Sequence, residues 1–258
     1  MTIYSSRSQL ERIASLAIKF SMLPFAPSDS VPGAVMEAIL AEVRDASVLR
    51  TYDFIDVLRA NSGIGWQVKS TKAGTPVTWK RAKIPEQDRL INASRDSAVG
   101  AQQLGDAIIG FCNAHAVESL KQYGLDEIGY ARLVVMSDGS AVYFERPLVS
   151  KQHPELFSPK DFVWSWSTAK RVTKKEQLSA LHGRHVSSGR KWWAWHGLGE
   201  NQLHFSGESE WWPTDLSHAV KFSLPSASNR MSMQDLIELL EVAAIPVPVD
   251  PAKNPLGK

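Results

Sequence analysis

The residues with the clearest potential for chemistry lie in the stretch 53–72, DFIDVLRANSGIGWQVKSTK. An apolar run that contains one acid, Asp56, is followed by turn residues and by a second apolar run that carries Gln67 and Lys69. Carboxylate and amide oxygens can hold a hard divalent cation, and a nearby ammonium steadies negative charge on a phosphate. These three residues form a candidate site if the chain brings them together.

Two β-rich runs around an Asn-Ser-Gly turn at residues 61–63 predict a β-hairpin. Gln67 and Lys69 are two positions apart, so they share one face of their strand. If residues 61 and 62 form the loop, positions whose numbers add to about 123 lie opposite each other, which places Asp56 across from Gln67. A three-residue loop would bring Asp53 to that face instead. We favour Asp56 because its neighbours on both sides are apolar.

An acid, a gap and then x-x-Lys on the next strand resembles the motif of the PD-(D/E)XK nuclease superfamily, and within it the type II restriction endonucleases. The matching residues are Asp56 and then Gln67, Val68 and Lys69. The sequence departs from the family pattern at Gln67, where Glu or Asp is usual. The resemblance implies an α/β fold with a restriction-endonuclease-like core, in which helices flank a central mixed β-sheet. It also implies Mg2+-dependent hydrolysis of DNA phosphodiester bonds.

The same resemblance implies a role for each site residue. Asp56, the Gln67 side-chain oxygen and the Val68 backbone carbonyl would bind the metal, and Lys69 would assist the attacking water. Glu37 would supply a further acid from the first core helix, which matters because Gln67 brings no charge. Glu42 on the same helix is the alternative to Glu37.

The elements that position these residues can be predicted from periodicity and turn signals. Helices are expected at residues 5–23, 33–44, 98–123 and 232–242, with Leu236, Leu239 and Leu240 of the last helix pointing inward. Hairpins at 53–72 and 132–145 would build the central sheet. Residues 71–95 predict a loop with a short strand at 77–79, and residues 177–181 a short helix. A polar connector suggests a catalytic core at 1–150 and a recognition region at 151–258, with one continuous domain as the alternative.

The C-terminal third is rich in side chains that suit DNA contacts. A basic run could contact phosphates without reading sequence, and a predicted aromatic hairpin carries groups that read base edges. The expected DNA-binding residues are Lys170, Arg171, Lys174, Lys175, Arg184, Arg190, Lys191, Asn201 and Gln202. Cleavage of both strands of a palindromic site would suggest a homodimer.

Composition limits the other possibilities. The chain has 258 residues, a net charge of +2 and 43% hydrophobic residues. One cysteine excludes an internal disulfide, and the sequence shows neither a signal peptide nor an apolar run long enough to cross a membrane. These features favour a cytoplasmic prokaryotic protein. The small net charge means that any DNA-binding surface depends on local clusters of basic residues.

Three alternatives to a restriction enzyme remain open. A DNA repair or junction-resolving nuclease could share the fold, and Gln67 could mark an inactive DNA-binding relative. From a different class, a Trp-rich carbohydrate-binding protein or glycosidase would use aromatic stacking and paired carboxylates. The residues for that function would be Trp192, Trp193, Trp195, Trp211, Trp212, Glu200, Glu208 and Glu210.

Overall fold

The computed structural model describes residues 2–50, 53–168, 170–172 and 175–243. The helices are α1 Arg7–Ser21, α2 Gly33–Arg44, α3 Gln87–Asp96, α4 Ala98–Gln122 and α5 Met233–Ala243. The strands are β1 Ser47–Val48, β2 Val57–Arg59, β3 Ile64–Lys72, β4 Val77–Arg81, β5 Glu127–Val135, β6 Ser140–Ser150, β7 Phe162–Trp166, β8 Lys170–Val172, β9 Lys175–Gln177, β10 Leu181–His185, β11 Lys191–His196, β12 Gln202–Phe205 and β13 Ala219–Ser223.

A six-stranded sheet with the order β1-β2-β3-β5-β6-β13 forms the centre of the molecule. Its middle pair, β3 and β5, is parallel, and the other pairs are antiparallel. The two predicted hairpins therefore lie side by side in one mixed sheet. The prediction of an α/β fold with a mixed sheet flanked by helices is confirmed.

A second sheet contains five antiparallel strands in the order β4-β12-β11-β10-β7, and β8 and β9 form a small separate hairpin. The two large sheets exchange strands along the chain. The early strand β4 belongs to the second sheet, and the late strand β13 belongs to the first. A cut at residue 150 would divide both sheets, so the strand exchange fits the alternative of one continuous domain.

The first sheet separates two hydrophobic clusters. On one face, α1 and α2 cover a cluster that includes Leu10, Met36 and Trp66. On the other face, α4 and the second sheet enclose a larger cluster around Trp79 and Trp193. The aromatic side chains of the C-terminal third therefore fill the space between the layers.

A buried polar network attaches the N-terminal segment to the first sheet. The Glu145 carboxylate accepts hydrogen bonds from the Ser5 backbone and hydroxyl and from the Tyr143 hydroxyl. Arg44 Nη1 lies 3.9 Å from Glu145 Oε2, and its guanidinium lies 4.6 Å from the centroid of the Trp66 ring. Burial raises the pKa of Glu145, and the hydrogen bonds and Arg44 act in the opposite direction. The network fixes the position of α1 against the sheet.

Three local predictions are wrong. Residues 177–181 are not a helix, because Gln177 ends β9, Leu181 begins β10, and only the three residues 178–180 connect these strands. Residues 87–96 form α3 where a loop was expected. In α5, Leu236 is 7% exposed, but Leu239 and Leu240 are 57% and 56% exposed, because only one edge of this helix meets the protein.

Candidate active site

The first hairpin has the register that a two-residue loop predicted. Val57 pairs with Trp66, and the next two residues of β2 pair with Gly65 and Ile64. The two residue numbers of each pair therefore add to 123. Asn61 and Gly63 adopt left-handed φ values of 59° and 69°, which allow the chain to reverse. The register sets the end of β2 beside the middle of β3.

Asp56 lies at the point where the chain enters β2. Its backbone N–H donates to the Trp66 carbonyl at 2.8 Å, and its Oδ2 accepts from the Val68 N–H at 2.7 Å. The Asp56 carboxylate therefore accepts the hydrogen bond that a backbone carbonyl of a neighbouring strand would otherwise accept from β3. Lys69 Nζ lies 3.5 Å from the same oxygen, and the two side chains are 19% and 25% exposed. The acid and the ammonium thus meet at a partly open edge of the sheet.

Glu37 approaches this pair from α2, where it is half-buried. Burial raises the pKa of Glu37, the Asp56 carboxylate raises it further, and Lys69 lowers it. Glu37 therefore lies close enough to Asp56 and Lys69 to interact with both electrostatically. Glu42 lies elsewhere, in an exposed ion pair with Arg12 at 3.1 Å.

The alternative acid, Asp53, has a different partner. Its carboxylate accepts a hydrogen bond from the Tyr123 hydroxyl at the end of α4. Asp56, in contrast, contacts both Val68 and Lys69. The geometry therefore favours Asp56 as the residue that corresponds to the first acid of the motif.

Gln67 is almost fully buried, with 2% of its surface exposed, and its neighbour on β5 is Tyr130. Within the described part of the chain, no donor lies within hydrogen-bonding distance of its Oε1. A buried amide oxygen without a partner is costly, because water is not available to replace the missing bond. A bound cation would relieve that cost.

The donor set fits a magnesium ion in its chemistry. The described residues contain no cluster of three or more His, Cys, Asp or Glu side chains arranged around a metal position. Asp56 and Glu37 provide two carboxylates that repel each other, and Gln67 adds a buried neutral oxygen. Mg2+ binds through one or two protein carboxylates and retains several waters, so two acids are sufficient.

A second group of polar residues, Lys80 and His115, interacts with the acids around Asp53. Burial lowers the pKa of Lys80 on β4, and Asp53, Glu118 and Asp56 are among the groups that oppose this shift. Burial and Lys80 together lower the pKa of His115 on α4. The sequence did not predict these interactions, because they depend on the packing of β4 and α4.

The expected DNA-binding residues are distributed over the second sheet and its loops. Arg184 Nη1 donates to the Gly189 carbonyl, and Arg190 forms an exposed ion pair with Glu210 at 3.1 Å. Lys191 is exposed at the start of β11. Lys174 lies outside the described residues, and only the backbone is described for Lys170, Arg171 and Lys175.

The two amide side chains predicted to read bases make contacts inside the protein. Asn201 Oδ1 accepts from the Gln87 side chain at 2.8 Å. Gln202 contacts Glu200 and His204, and its Oε1 lies 3.0 Å from His204 Nε2. Base contact by either amide would require exchange of these partners.

Comparison with known proteins gives no relative of this chain. No protein-family model, no curated protein and no solved structure matches it. Among the described helices, none is long and apolar enough to cross a membrane. The inference of function therefore depends on the geometry of the site.

Proposed function

We propose that this protein is a Mg2+-dependent, sequence-specific endonuclease of double-stranded DNA, with a restriction-endonuclease-like core of the PD-(D/E)XK type. The observation that carries the proposal is the contact of Asp56 with both Val68 and Lys69 at the edge of a mixed sheet. Glu37 reaches the same place from the helix that covers the sheet. The order and pairing of these residues agree with the motif of that superfamily.

Asp56 and Glu37 would hold the ion, with the Gln67 side-chain oxygen and the Val68 carbonyl as further ligands. When bound, Mg2+ lowers the pKa of a coordinated water and stabilises negative charge on the phosphate. Lys69 would donate a hydrogen bond to the attacking water or to a phosphate oxygen. Asp56 holds the Lys69 ammonium in that position through their 3.5 Å contact.

The remaining parts of the proposal follow from the substrate. Cutting both strands of a palindromic site requires two sites related by a twofold axis, which a homodimer supplies. Specific recognition would come from the second sheet and its loops, where Arg184 and Lys191 lie in exposed positions. A cytoplasmic prokaryotic location is consistent with a restriction enzyme.

Cleavage of plasmid or phage DNA by the purified protein tests the proposal. We expect cleavage at defined sequences with Mg2+ and none with EDTA. Asp56→Ala and Lys69→Ala should each abolish cleavage while cooperative melting is retained. Glu42→Ala is the matched control, because Glu42 lies on the same helix as Glu37 but contacts Arg12 at the surface. Full activity in a folded Asp56 or Lys69 variant would refute the assignment.

The same assay separates the alternatives within the DNA-binding class. Binding without cleavage would identify an inactive relative, and preferential cleavage of branched DNA would identify a repair or junction-resolving enzyme. The carbohydrate alternative has little support. Trp192, Trp193 and Trp195 are 8%, 0% and 0% exposed, so these rings present no open face for stacking on a sugar.

A further inference from the structure

Two adjoining cavities lie on the outer face of the second sheet. Trp193, Trp195 and Phe205 are buried in the core on its inner face, so the residues that alternate with them on β11 and β12 point outward. The cavities have volumes of about 330 Å3 and about 240 Å3, and His196 and His204 border both of them. The two histidines therefore stand at the boundary between a larger and a smaller cavity.

The larger cavity offers flat and apolar surfaces. Leu198 lines it, and the ring centroids of His196 and His204 are 4.9 Å apart with an angle of 55° between the rings. Burial lowers the pKa of both histidines, and Lys191 lowers both further, while Glu200 acts in the opposite direction. Both imidazoles are therefore mostly neutral at neutral pH. A neutral imidazole provides a flat surface on which another ring can stack.

One wall of the larger cavity is polar, and its hydrogen bonds have a defined direction. Gln202 Nε2 donates to Glu200 Oε2, which orients the amide so that its Oε1 lies 3.0 Å from His204 Nε2. Because an amide oxygen only accepts, His204 Nε2 carries the proton of this bond. An ionised carboxylate also only accepts, but it can accept several hydrogen bonds. Glu200 can therefore bind an amino group of a ligand while it still holds Gln202.

The smaller cavity has the chemistry that suits the backbone of a nucleotide. Ser167, Thr168 and Lys191 are among the residues that line it, and they carry hydroxyl and ammonium groups. Such groups are common partners of phosphate oxygens in protein–DNA complexes. The two cavities thus provide a place for a flat base beside a place for sugar and phosphate.

Strand β4 links these cavities to the proposed active site. Arg81 on β4 pairs with Gln202 on β12, which lines the larger cavity. Lys80, one residue earlier, interacts electrostatically with Asp53 and Asp56. In the order β4-β12-β11, neighbouring strands are about 4.8 Å apart, so β11 lies roughly 10 Å from β4. A few nucleotides, at about 3.4 Å of helix axis each, span that distance.

We propose that the larger cavity binds one base of the DNA substrate that has rotated out of the duplex, and that the smaller cavity holds its sugar and phosphate. The inference rests on the proposed function, because it assigns a contact of the same substrate. Proteins that bind such a base stack it between aromatic or apolar side chains and form hydrogen bonds with its pairing edge. His196, His204 and Leu198 would supply the stacking surfaces, and Glu200 would accept a hydrogen bond from the base. An acceptor favours a base with an amino group, which excludes thymine.

Binding to duplexes with a single mismatch tests whether a base leaves the helix. Affinity would be measured with Ca2+ in place of Mg2+, on the sequence that the cleavage assay identifies, with the opposite base changed at each position in turn. At the extruded base, the mismatch should strengthen binding by wild type about tenfold, because an unpaired base requires less energy to extrude. In His196→Ala and Leu198→Ala this gain should fall to about twofold or less, because the base loses a stacking surface.

His153→Ala is the matched control for these variants. His153 is an exposed histidine in the segment between β6 and β7, away from both cavities. Its replacement should leave the tenfold gain unchanged. Cooperative melting of each variant would be checked before binding is compared.

Replacement of the extruded base tests how the cavity recognises it. Thymine at that position should weaken binding by wild type about tenfold, because a carboxylate cannot donate to its carbonyl oxygens. Glu200→Gln keeps the size of the side chain and can donate as well as accept. In this variant the loss with thymine should be about threefold or less.

The outcomes separate this inference from the proposed function. If wild type cleaves DNA but no mismatch strengthens its binding, the extruded base is refuted and the nuclease assignment stands. If a mismatch strengthens binding equally in wild type and in folded His196→Ala and Leu198→Ala, the base does not enter this cavity and the inference is likewise refuted. If wild type neither binds nor cleaves DNA, the proposed function itself fails, and this inference fails with it.

Discussion

Glu37 is the residue of the proposed site whose pKa is raised by burial and by the Asp56 carboxylate. A proton on Glu37 competes with a metal ion for the same oxygens. We expect the apparent affinity for Mg2+ to fall as the pH decreases through this raised pKa. Titration of Mg2+ into the protein by calorimetry at several pH values measures the effect. In Glu37→Gln the affinity should be weaker throughout and less dependent on pH.

The Glu37 carboxylate affects the folding stability of the metal-free protein in the opposite direction: a decrease in pH weakens Mg2+ binding but favours the folded state. The pKa of Glu37 is higher in the folded state than in the unfolded state. Glu37 therefore contributes stability when the pH is below its pKa in the unfolded state, and this contribution is lost as the pH rises through its pKa in the folded state. In EDTA, Glu37→Gln should therefore melt at or above the wild-type temperature near neutral pH while cleavage is lost. A clear loss of thermal stability in the variant would instead show that the carboxylate is structural.

Gln67 offers a test of the unusual position in the motif. Gln67→Glu keeps the shape of the side chain but places a third carboxylate near Asp56 and Glu37. We expect tighter Mg2+ binding, a lower melting temperature in EDTA, and recovery of that temperature when Mg2+ is added. Loss of cooperative melting even with Mg2+ would identify Gln67 as a structural amide that cannot carry charge.

The sequence was sufficient to predict the placement of the central residues of the candidate site but not their surroundings. Asp56, Gln67 and Lys69 lie within one hairpin, so strand parity and turn type determine how they meet. Arg132 becomes the neighbour of Lys69 only through the parallel pairing of β3 with β5, and Lys80 belongs to a strand of the second sheet. Contacts between distant segments leave no local pattern in the sequence.

At the scale of elements, two glycines of α4 provide a matched pair. A Cβ at Gly105 would lie 2.1 Å from the Trp164 ring, whereas a Cβ at Gly110 would meet nothing within 4 Å. Gly110→Ala should stabilise the protein by about 1 kcal/mol, because alanine favours the helix. Gly105→Ala gains the same helix preference, but its Cβ forces α4 away from β7. We expect this displacement to lower the free energy of unfolding by roughly 1–3 kcal/mol.

Chemical denaturation of both variants measures the two effects under one set of conditions. The unfolding midpoints should move in opposite directions from wild type. If Gly105→Ala were as stable as Gly110→Ala, the close contact between α4 and Trp164 would be wrong.

Periodicity and turn signals predicted the long elements well, because α1, α2, α4 and both hairpins of the first sheet carry strong local patterns. The failures have a common cause. The residues before β10 favour a helix by local preference, but the strands on either side leave them only a three-residue connection. The apolar face of α5 includes Leu239 and Leu240, but the rest of the protein covers only part of that face, so these two leucines remain exposed.

For the whole molecule, the exchange of strands between the two sheets predicts cooperative unfolding. A fragment of residues 1–150 would leave β4 without β12 and β6 without β13, and Trp79 would lose its aromatic neighbours Trp193 and Phe205. We expect this fragment to lack cooperative melting by circular dichroism. The full chain should unfold in one transition. Cooperative melting of the isolated fragment would instead establish an independent unit that ends near residue 150.

The position of β13 also has a consequence during synthesis on the ribosome. β6 is complete at residue 150, but its outer partner begins at residue 219. At about 5–20 residues per second, the nascent chain carries an uncovered strand edge for several seconds. Such an edge can pair with strands of neighbouring chains. Protection of this edge by chaperones until translation is nearly finished would therefore decide the yield of native protein in the cell.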